Sequence, residues 1–206
     1  MASGPHDNAH VFDLEGTGVA SFHVGDGVQF IQTDSSGRIW VGYFDEGVFG
    51  RGEFSPGGLD CFDSEGHCLF QFNEVAESWQ LPCIDECYAL NVVADGNVWA
   101  YCYSSYSVVH LKDFEAVGVW RDLPVELATA MAVSGDKVLF ARTDDAPHQN
   151  LAVWVKGSST IEEVEVLDER GQPLEWIYST GRDNKLYLQT QMGQVYVVDA
   201  AHVEDP

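Results

Sequence analysis

The residues best suited to chemistry fall in acidic, glycine-rich stretches. Residues 45–58 read DEGVFGRGEFSPGG, in which five Gly and one Pro impose an irregular path. Asp45, Glu46, Arg51 and Glu53 supply polar groups there, and Phe49 and Phe54 supply apolar ones. Such a mixture on a loop suits a small ligand or a peptide; the plainer alternative is a connection that only caps the preceding hairpin. Asp85, Glu86 and Tyr88 stand at the entry to a later apolar run. Together with Asp45 and Glu46 they could offer Ca²⁺ or Mg²⁺ the oxygen ligands that hard cations prefer. In a chain with 33 acids, paired carboxylates also arise by chance. Gln29, Gln32 and Asn91 are amides inside apolar runs, able to hydrogen-bond a ligand or to satisfy buried water.

Cysteine and histidine offer less. Cys61 and Cys68 flank a turn, so one strand register places them opposite each other and a shifted register separates them. Cys83 and Cys87 have one residue too many between them for a C-x-x-C knuckle and no matching second pair. There is no G-x-S-x-G elbow, no H-E-x-x-H and no glycine-rich phosphate loop ahead of a helix. No catalytic set is therefore expected, and no cofactor beyond the Ca²⁺ or Mg²⁺ that the acids could take.

These residues must be positioned by a repeated element. Residues 28–44, 88–103, 128–142 and 174–189 each read as an apolar stretch, a tight polar turn and a second apolar stretch. The turn cores Ser36-Gly37, Asp95-Gly96, Gly135-Asp136 and Asp183-Asn184 contain residue types that accept the positive φ of tight hairpins. A large side chain recurs after each turn: Trp40, Trp99, Leu139 and Tyr187. Between successive hairpins lies a looser strand pair: 59–63 with 67–73, 107–112 with 118–121, and 151–156 with 161–167. Each period thus holds four strands, labelled a to d, and four antiparallel strands per roughly 40 to 50 residues is the blade of a β-propeller. Residues 73–80 could form a helical turn or two, whereas 126–133, despite helical propensity, occupy an inner-strand position in the repeat.

The run TDSSGRIWVGYFDEGVFG (33–50) resembles the Asp-x-x-Gly-x-Ile-Trp-Val-Gly repeat of two-component-regulator-type and NHL-like β-propellers, and ADGNVWA (94–100) is a shorter copy. The other two copies lack the Trp. The resemblance implies a propeller fold, an architecture shared by sensor domains, scaffolds and a minority of enzymes, so it implies no reaction.

One c-like and one d-like strand (10–14 and 18–24) precede the first hairpin, and one c-like strand (194–199) follows the last. The expected fold is therefore all-β: a small propeller of four blades, or an irregular five-part ring, in a single domain whose residues 1–9 form a disordered terminus. Either the N-terminal d strand completes the C-terminal blade or the ring is open. Open ends would expose strand edges and apolar faces that proteins cover or pair, so homo-oligomerisation is the expected alternative to closure. Strand alternation places the longer loops, 45–58, 74–86, 143–150 and 168–173, on one face, the expected site.

Composition narrows the partners. With 45% hydrophobic residues the 206-residue chain can bury a core, yet Asp plus Glu is 33 against Lys plus Arg 10, a formal charge of −23. Nucleic acids and anionic membranes are excluded as partners, because both are held by clustered Lys and Arg. Five Cys, an odd number, and the lack of a basic, apolar leader in residues 1–13 fit the cytoplasm. So acidic a composition also occurs in proteins of salt-rich cells. The functional expectation is a non-catalytic binding or scaffold module that holds a protein, peptide or small molecule on its long-loop face. The first alternative is a Ca²⁺-dependent hydrolase or lactonase-like enzyme, and the second a structural protein that assembles through open ends.

Overall fold

A computed structural model describes residues 7–103, 105–142 and 149–203. The strand-rich meanders of the repeat are present, and the fold is an all-β propeller type built from antiparallel blades. Two compact units divide the chain: Met1–Cys87 with Ala94–Gly96, and Tyr88–Val93 with Asn97–Pro206.

In the first unit, β1 (Ala9–Phe12) and β2 (Gly18–Phe22) pair as a two-stranded sheet. β3 (Val28–Thr33), β4 (Ile39–Tyr43), β5 (Leu59–Phe62) and β6 (Cys68–Gln71) follow one another as a four-stranded blade. Two short helices interrupt it, α1 (Asp45–Val48) after β4 and α2 (Phe72–Ala76) after β6. The core of this unit joins Ala9, Phe22 and Val24 to Ile39, Val41, Tyr43 and Phe62. Of the terminus, residues 1–6 lie outside the described residues, whereas the Asn8 amide donates to the Gly25 carbonyl and its oxygen accepts from the Val24 N–H.

The second unit carries β7 (Cys87–Val92, all but its first residue), β8 (Asn97–Cys102), β9 (Ser107–Lys112) and β10 (Glu115–Trp120) as one blade. β11 (Ala128–Ser134), β12 (Lys137–Arg142), β13 (Asn150–Val155) and β14 (Ile161–Glu165) form the next. β15 (Tyr178–Arg182), β16 (Lys185–Gln189) and β17 (Val195–Asp199) form a three-stranded sheet. Adjacent blades within this unit touch closely: a Cβ on Gly181 of β15 would strike the Met131 carbonyl of β11. Among the described residues no helix is long and apolar enough to cross a membrane.

One local device sets four of the turns. In Asp13-x-x-Gly16-Thr17, Asp34-x-x-Gly37-Arg38, Asp63-x-x-Gly66-His67 and Asp168-x-x-Gly171-Gln172, Oδ1 of the Asp accepts the N–H groups of the second and fourth residues after it. The Gly sits at φ of 81°, 79°, 92° and 72° respectively, a left-handed conformation that only a residue without Cβ adopts freely. The side chain thus replaces water for the turn's orphan donors, and the turn closes from local sequence alone.

Several boundaries move. The strand expected from residue 174 begins at Tyr178, because Leu174 and Trp176 turn inward to the core of the second unit instead of entering the ladder. The turn expected over 113–117 shortens to Asp113 and Phe114, both at positive φ, and Glu115 already pairs with Lys112. Of residues 126–133, expected in an inner strand, 128–133 follow the repeat into β11. A register shift after Cys61 places Phe70 opposite Cys61 and Cys68 opposite Phe62, so the two thiols are separated and none of the five Cys forms a disulfide.

Candidate functional site

Residues 45–58 are a built structure rather than slack chain. The Phe44 carbonyl accepts the Gly47 and Val48 N–H groups to start α1, and Asp45 Oδ1 accepts the Glu46 N–H at 2.7 Å. Gly47 is pressed so closely on the 26–27 backbone that a Cβ would strike the Asp26 carbonyl. At the loop's other end the Ser55 hydroxyl donates to the same carbonyl at 2.6 Å. Phe54 packs edge-on against Phe62 with centroids 5.1 Å apart. The loop is therefore clamped at both ends, while Asp45, Glu46 and Arg51 face solvent and Phe49 is 75% exposed.

The segment carrying Asp85 and Glu86 is fixed by Asn73, on α2. Its amide donates to the Pro56 and Ile84 carbonyls at 2.9 Å each, and its oxygen accepts the Ile84 N–H at 2.8 Å. Ile84 is fully buried, so the two acids that follow it emerge at a defined place. Burial, then the charges of Asp45 and Asp85, push the Glu86 carboxyl above the usual range. The fold thus brings Asp45 within electrostatic reach of Glu86, some forty residues further along the chain. Among the described residues no group of three or more His, Cys, Asp or Glu is arranged to hold a metal ion.

The remaining expected site residues are on β3 and β7. Gln29 and Gln32 are on β3, Gln29 exposed and Gln32 half-buried opposite Trp40. In the second unit, half-buried Tyr88 leans on Tyr103 with centroids 4.8 Å apart. Asn91 is fully buried, and its amide donates to the Met131 and Asp183 carbonyls at 2.8 Å each. Those bonds tie β7 to β11 and to the turn after β15, so both amide protons serve the scaffold. Of the long loops, residues 143–148 lie outside the described residues.

Two positions escaped the sequence reading. Asn73 is one; nothing in its composition marks a side chain that will bracket two loops. Asp60 is the other, a fully buried carboxyl in the middle of β5. Its Oδ2 accepts from Gln71 Nε2 at 3.3 Å, but Oδ1 has no hydrogen-bond partner. The neighbouring Tyr43 hydroxyl gives its one proton to the Val24 carbonyl. Burial, reinforced by the charge of Glu74, pushes the Asp60 carboxyl up to about 7 against the opposing contacts with Gln71 and Tyr43. Gly57 must lack a side chain, since a Cβ there would strike Oδ1. A lone Asp between Leu59 and Cys61 in an apolar strand was the available signal.

Among solved structures, virginiamycin B lyase from Staphylococcus aureus aligns over 92% of this chain at 14% identity and a TM-score of 0.49. The extracellular domain of a one-component system of B. thetaiotaomicron aligns over 95% of the chain at 17% identity and a TM-score of 0.46. The computationally designed Ika4 protein aligns over 84% of the chain at 16% identity and a TM-score of 0.45. The alignment spans 62% of the lyase, 21% of the one-component-system chain and 90% of the designed protein. No curated protein matches the chain in sequence. The model of one protein family, YxzG, matches residues 59–197.

Proposed function

The chain belongs to the YxzG family, and from that premise and the geometry of the first unit we propose that it is a non-catalytic binding module for a basic or uncharged peptide, held beside the 45–58 loop. The observation that carries this reading is that the half-buried Glu86 lies within electrostatic reach of Asp45 and Asp85, so that burial first and then their charges raise its ionisation. A Lys or Arg side chain placed among them relieves that repulsion, and exposed Phe49 offers an apolar contact on the same loop. The clamps at Gly47, Ser55 and Asn73 support it, because a preorganised surface loses little entropy on binding. The net charge of −23 adds long-range attraction for a cationic segment.

Titrating the protein with fluorescent basic, neutral and acidic peptides of matched length tests this. The basic peptide binds most tightly, its affinity falls as salt screens the field, and Glu86→Gln with Asp85→Asn weakens it roughly tenfold, as loss of a charge-assisted contact does. Binding strengthens as pH rises through the Glu86 ionisation, because the carboxylate is the competent form. Equal affinity for basic and acidic peptides, or no response to salt, would refute the reading.

A second reading, self-association through sheet ends, draws on one observation: Val195 and Val197 of β17 and Tyr178 of β15 share a face of the three-stranded sheet and are 58%, 53% and 58% exposed. Light scattering across a concentration series decides it; a mass that stays monomeric at the highest concentration removes it.

A further inference from the structure

The second unit holds a cavity of about 440 Å³ that lies outside the proposed peptide site. Its floor is aromatic. Trp99 stacks on His110 with centroids 3.7 Å apart and on Trp120 at 5.8 Å, and Trp120 meets Trp154 edge-on at 5.6 Å. Trp154 is almost wholly buried, whereas Trp120 is only half-buried and lines the cavity. The Trp120 ring lies back over its own strand, where a Cβ on Gly118 would come within 2.5 Å of it. A glycine inside a strand costs stability, and here it makes room for the indole.

Two lips rise from this floor, and each is fixed by backbone hydrogen bonds. In the first, residues 121–124, the Asp122 N–H donates to the Ser105 carbonyl at 3.3 Å and the Leu123 N–H to the Tyr106 carbonyl at 2.9 Å. Asp122 is held at a φ of 54°, which turns the chain sharply after Arg121. In the second, residues 157–159, the Ser158 N–H donates to the Val155 carbonyl at 2.8 Å, and the Ser158 carbonyl accepts the Trp154 indole N–H at 2.9 Å. Gly157 turns that lip at a φ of 85°. The lining is thus preformed and contains one cation, Arg121, one anion, Asp122, and Ser158 and Ser159 alongside Trp120 and Trp154, the Ser158 hydroxyl being bonded to Thr160.

This balance selects the ligand class. A net charge of −23 disfavours anions, and charge-balanced polar lips do not favour a cation or a wholly apolar molecule. The volume falls in the range of about 300 to 1,000 Å³ usual for small-molecule sites, too small for a folded partner. An uncharged ring with an apolar C–H face and a polar periphery matches both floor and lips. We propose that this cavity binds the ring of a neutral saccharide, its C–H face on the Trp120 indole and its hydroxyls bonded to Arg121, Asp122 and Ser159.

The test follows the six Trp indole N–H signals by NMR while the whole chain is titrated with glucose, galactose, mannose, maltose, lactose, cellobiose and diacetylchitobiose, with glucuronate as the anionic control. At least one neutral sugar shifts the Trp120 signal saturably, and glucuronate binds more weakly. Trp120→Phe and Asp122→Asn each weaken that binding several-fold to about tenfold, as loss of a stacking face or of a charge-assisted bond does. Gly118→Ala, which displaces the indole without removing it, also weakens binding. Trp120→Phe and Asp122→Asn retain the fold by thermal unfolding, so they decide the matter even if Gly118→Ala is unstable. Glu86→Gln leaves sugar binding unchanged, which separates this site from the peptide site. The proposal is overturned if no neutral sugar saturates below about 50 mM, well above the millimolar range where a few weak contacts suffice. It is equally overturned if sugar binding, followed in the variants by the remaining Trp signals, is undiminished by Trp120→Phe and Asp122→Asn, or if glucuronate binds as well as the neutral sugars.

Discussion

Trp40 and Trp99 occupy the same place in successive repeats, one turn into the second strand of a hairpin, and both are almost fully buried. Their surroundings differ. Trp40 Nε1 donates to the Asp34 carboxylate at 3.4 Å, and its ring meets Phe70 edge-on, so a side chain of its own turn completes its shell. Trp99 lies between His110 and Trp120, with Lys156 Nζ 4.8 Å above the ring, so its shell comes from the outer strand and the next blade. The repeat assigns a position to the anchor, and the neighbouring segments decide what the anchor does there. In the first unit it closes a turn. In the second it begins an aromatic stack that ends in a cavity.

The severest way to break this comparison is to remove both anchors in turn. Trp40→Ala and Trp99→Ala each cost about 3 to 5 kcal/mol, the range for truncating a buried aromatic, measured by denaturant unfolding. A much smaller loss at Trp99 would mean that its stack belongs to binding and not to the core.

Asp60 sharpens the contrast from the opposite direction, since the first unit keeps a carboxyl without a full set of partners. Its folded-state ionisation, at about 7, lies well above the ordinary Asp value of 3.8. The native state therefore binds a proton that the unfolded state has released, and stability falls as pH rises between those values. Asp60→Asn removes this penalty. The variant is more stable than the parent by a few kcal/mol at pH 8, on the order of 1.4 kcal/mol per tenfold change in ionisation, and near parity at pH 4. Urea midpoints at the two pH values check it; an unchanged difference would place the pH dependence elsewhere.

Next in size is the carboxylate under Trp40. Asp34 accepts two backbone N–H groups, the Arg38 guanidinium at 2.6 Å and the Trp40 indole. Burial opposes its ionisation, but the hydrogen bonds and charge of Arg38, with the Ser36 N–H, hold it below the usual carboxylate range. That contribution is complete above the ordinary Asp ionisation and is lost as pH falls through the lowered one. Asp34→Ala costs about 2 kcal/mol, the scale of losing charge-assisted hydrogen bonds. Smallest is the equivalent Asp13→Ala, where the same turn is exposed and water replaces the carboxylate; it costs less than about 1 kcal/mol. Melting temperatures of the two variants, side by side, measure how much of a turn's value comes from the tryptophan packed on it.

Most of the strand order was legible because hairpins are local. The apolar alternation, Gly37 and its counterparts, and the Asp that opens four of the turns act over about five residues, so the strands of the described residues appear where the repeat places them, within a few residues. The misses have physical causes. The strand expected from Leu174 starts late because that side chain and Trp176 are drawn into the core. The separation of Cys61 from Cys68 turns on a single bulge, which a pattern of alternating residues does not encode. Asn91 read equally well as a ligand donor or a buried amide, and only its two carbonyl acceptors, 40 and 92 residues away, distinguish the two.

The amino-acid order by itself determined the blade class, the turns and the acidic character, all of which depend on composition or on neighbours along the chain. The tertiary structure alone decided that Asp45 comes within electrostatic reach of Glu86, that Asp60 is stranded from water, and that Trp120 folds back over Gly118 to floor a cavity. These follow from contacts between distant segments, whose energies depend on burial and on what lies opposite. A linear pattern specifies which residues can turn inward, and packing determines what they meet.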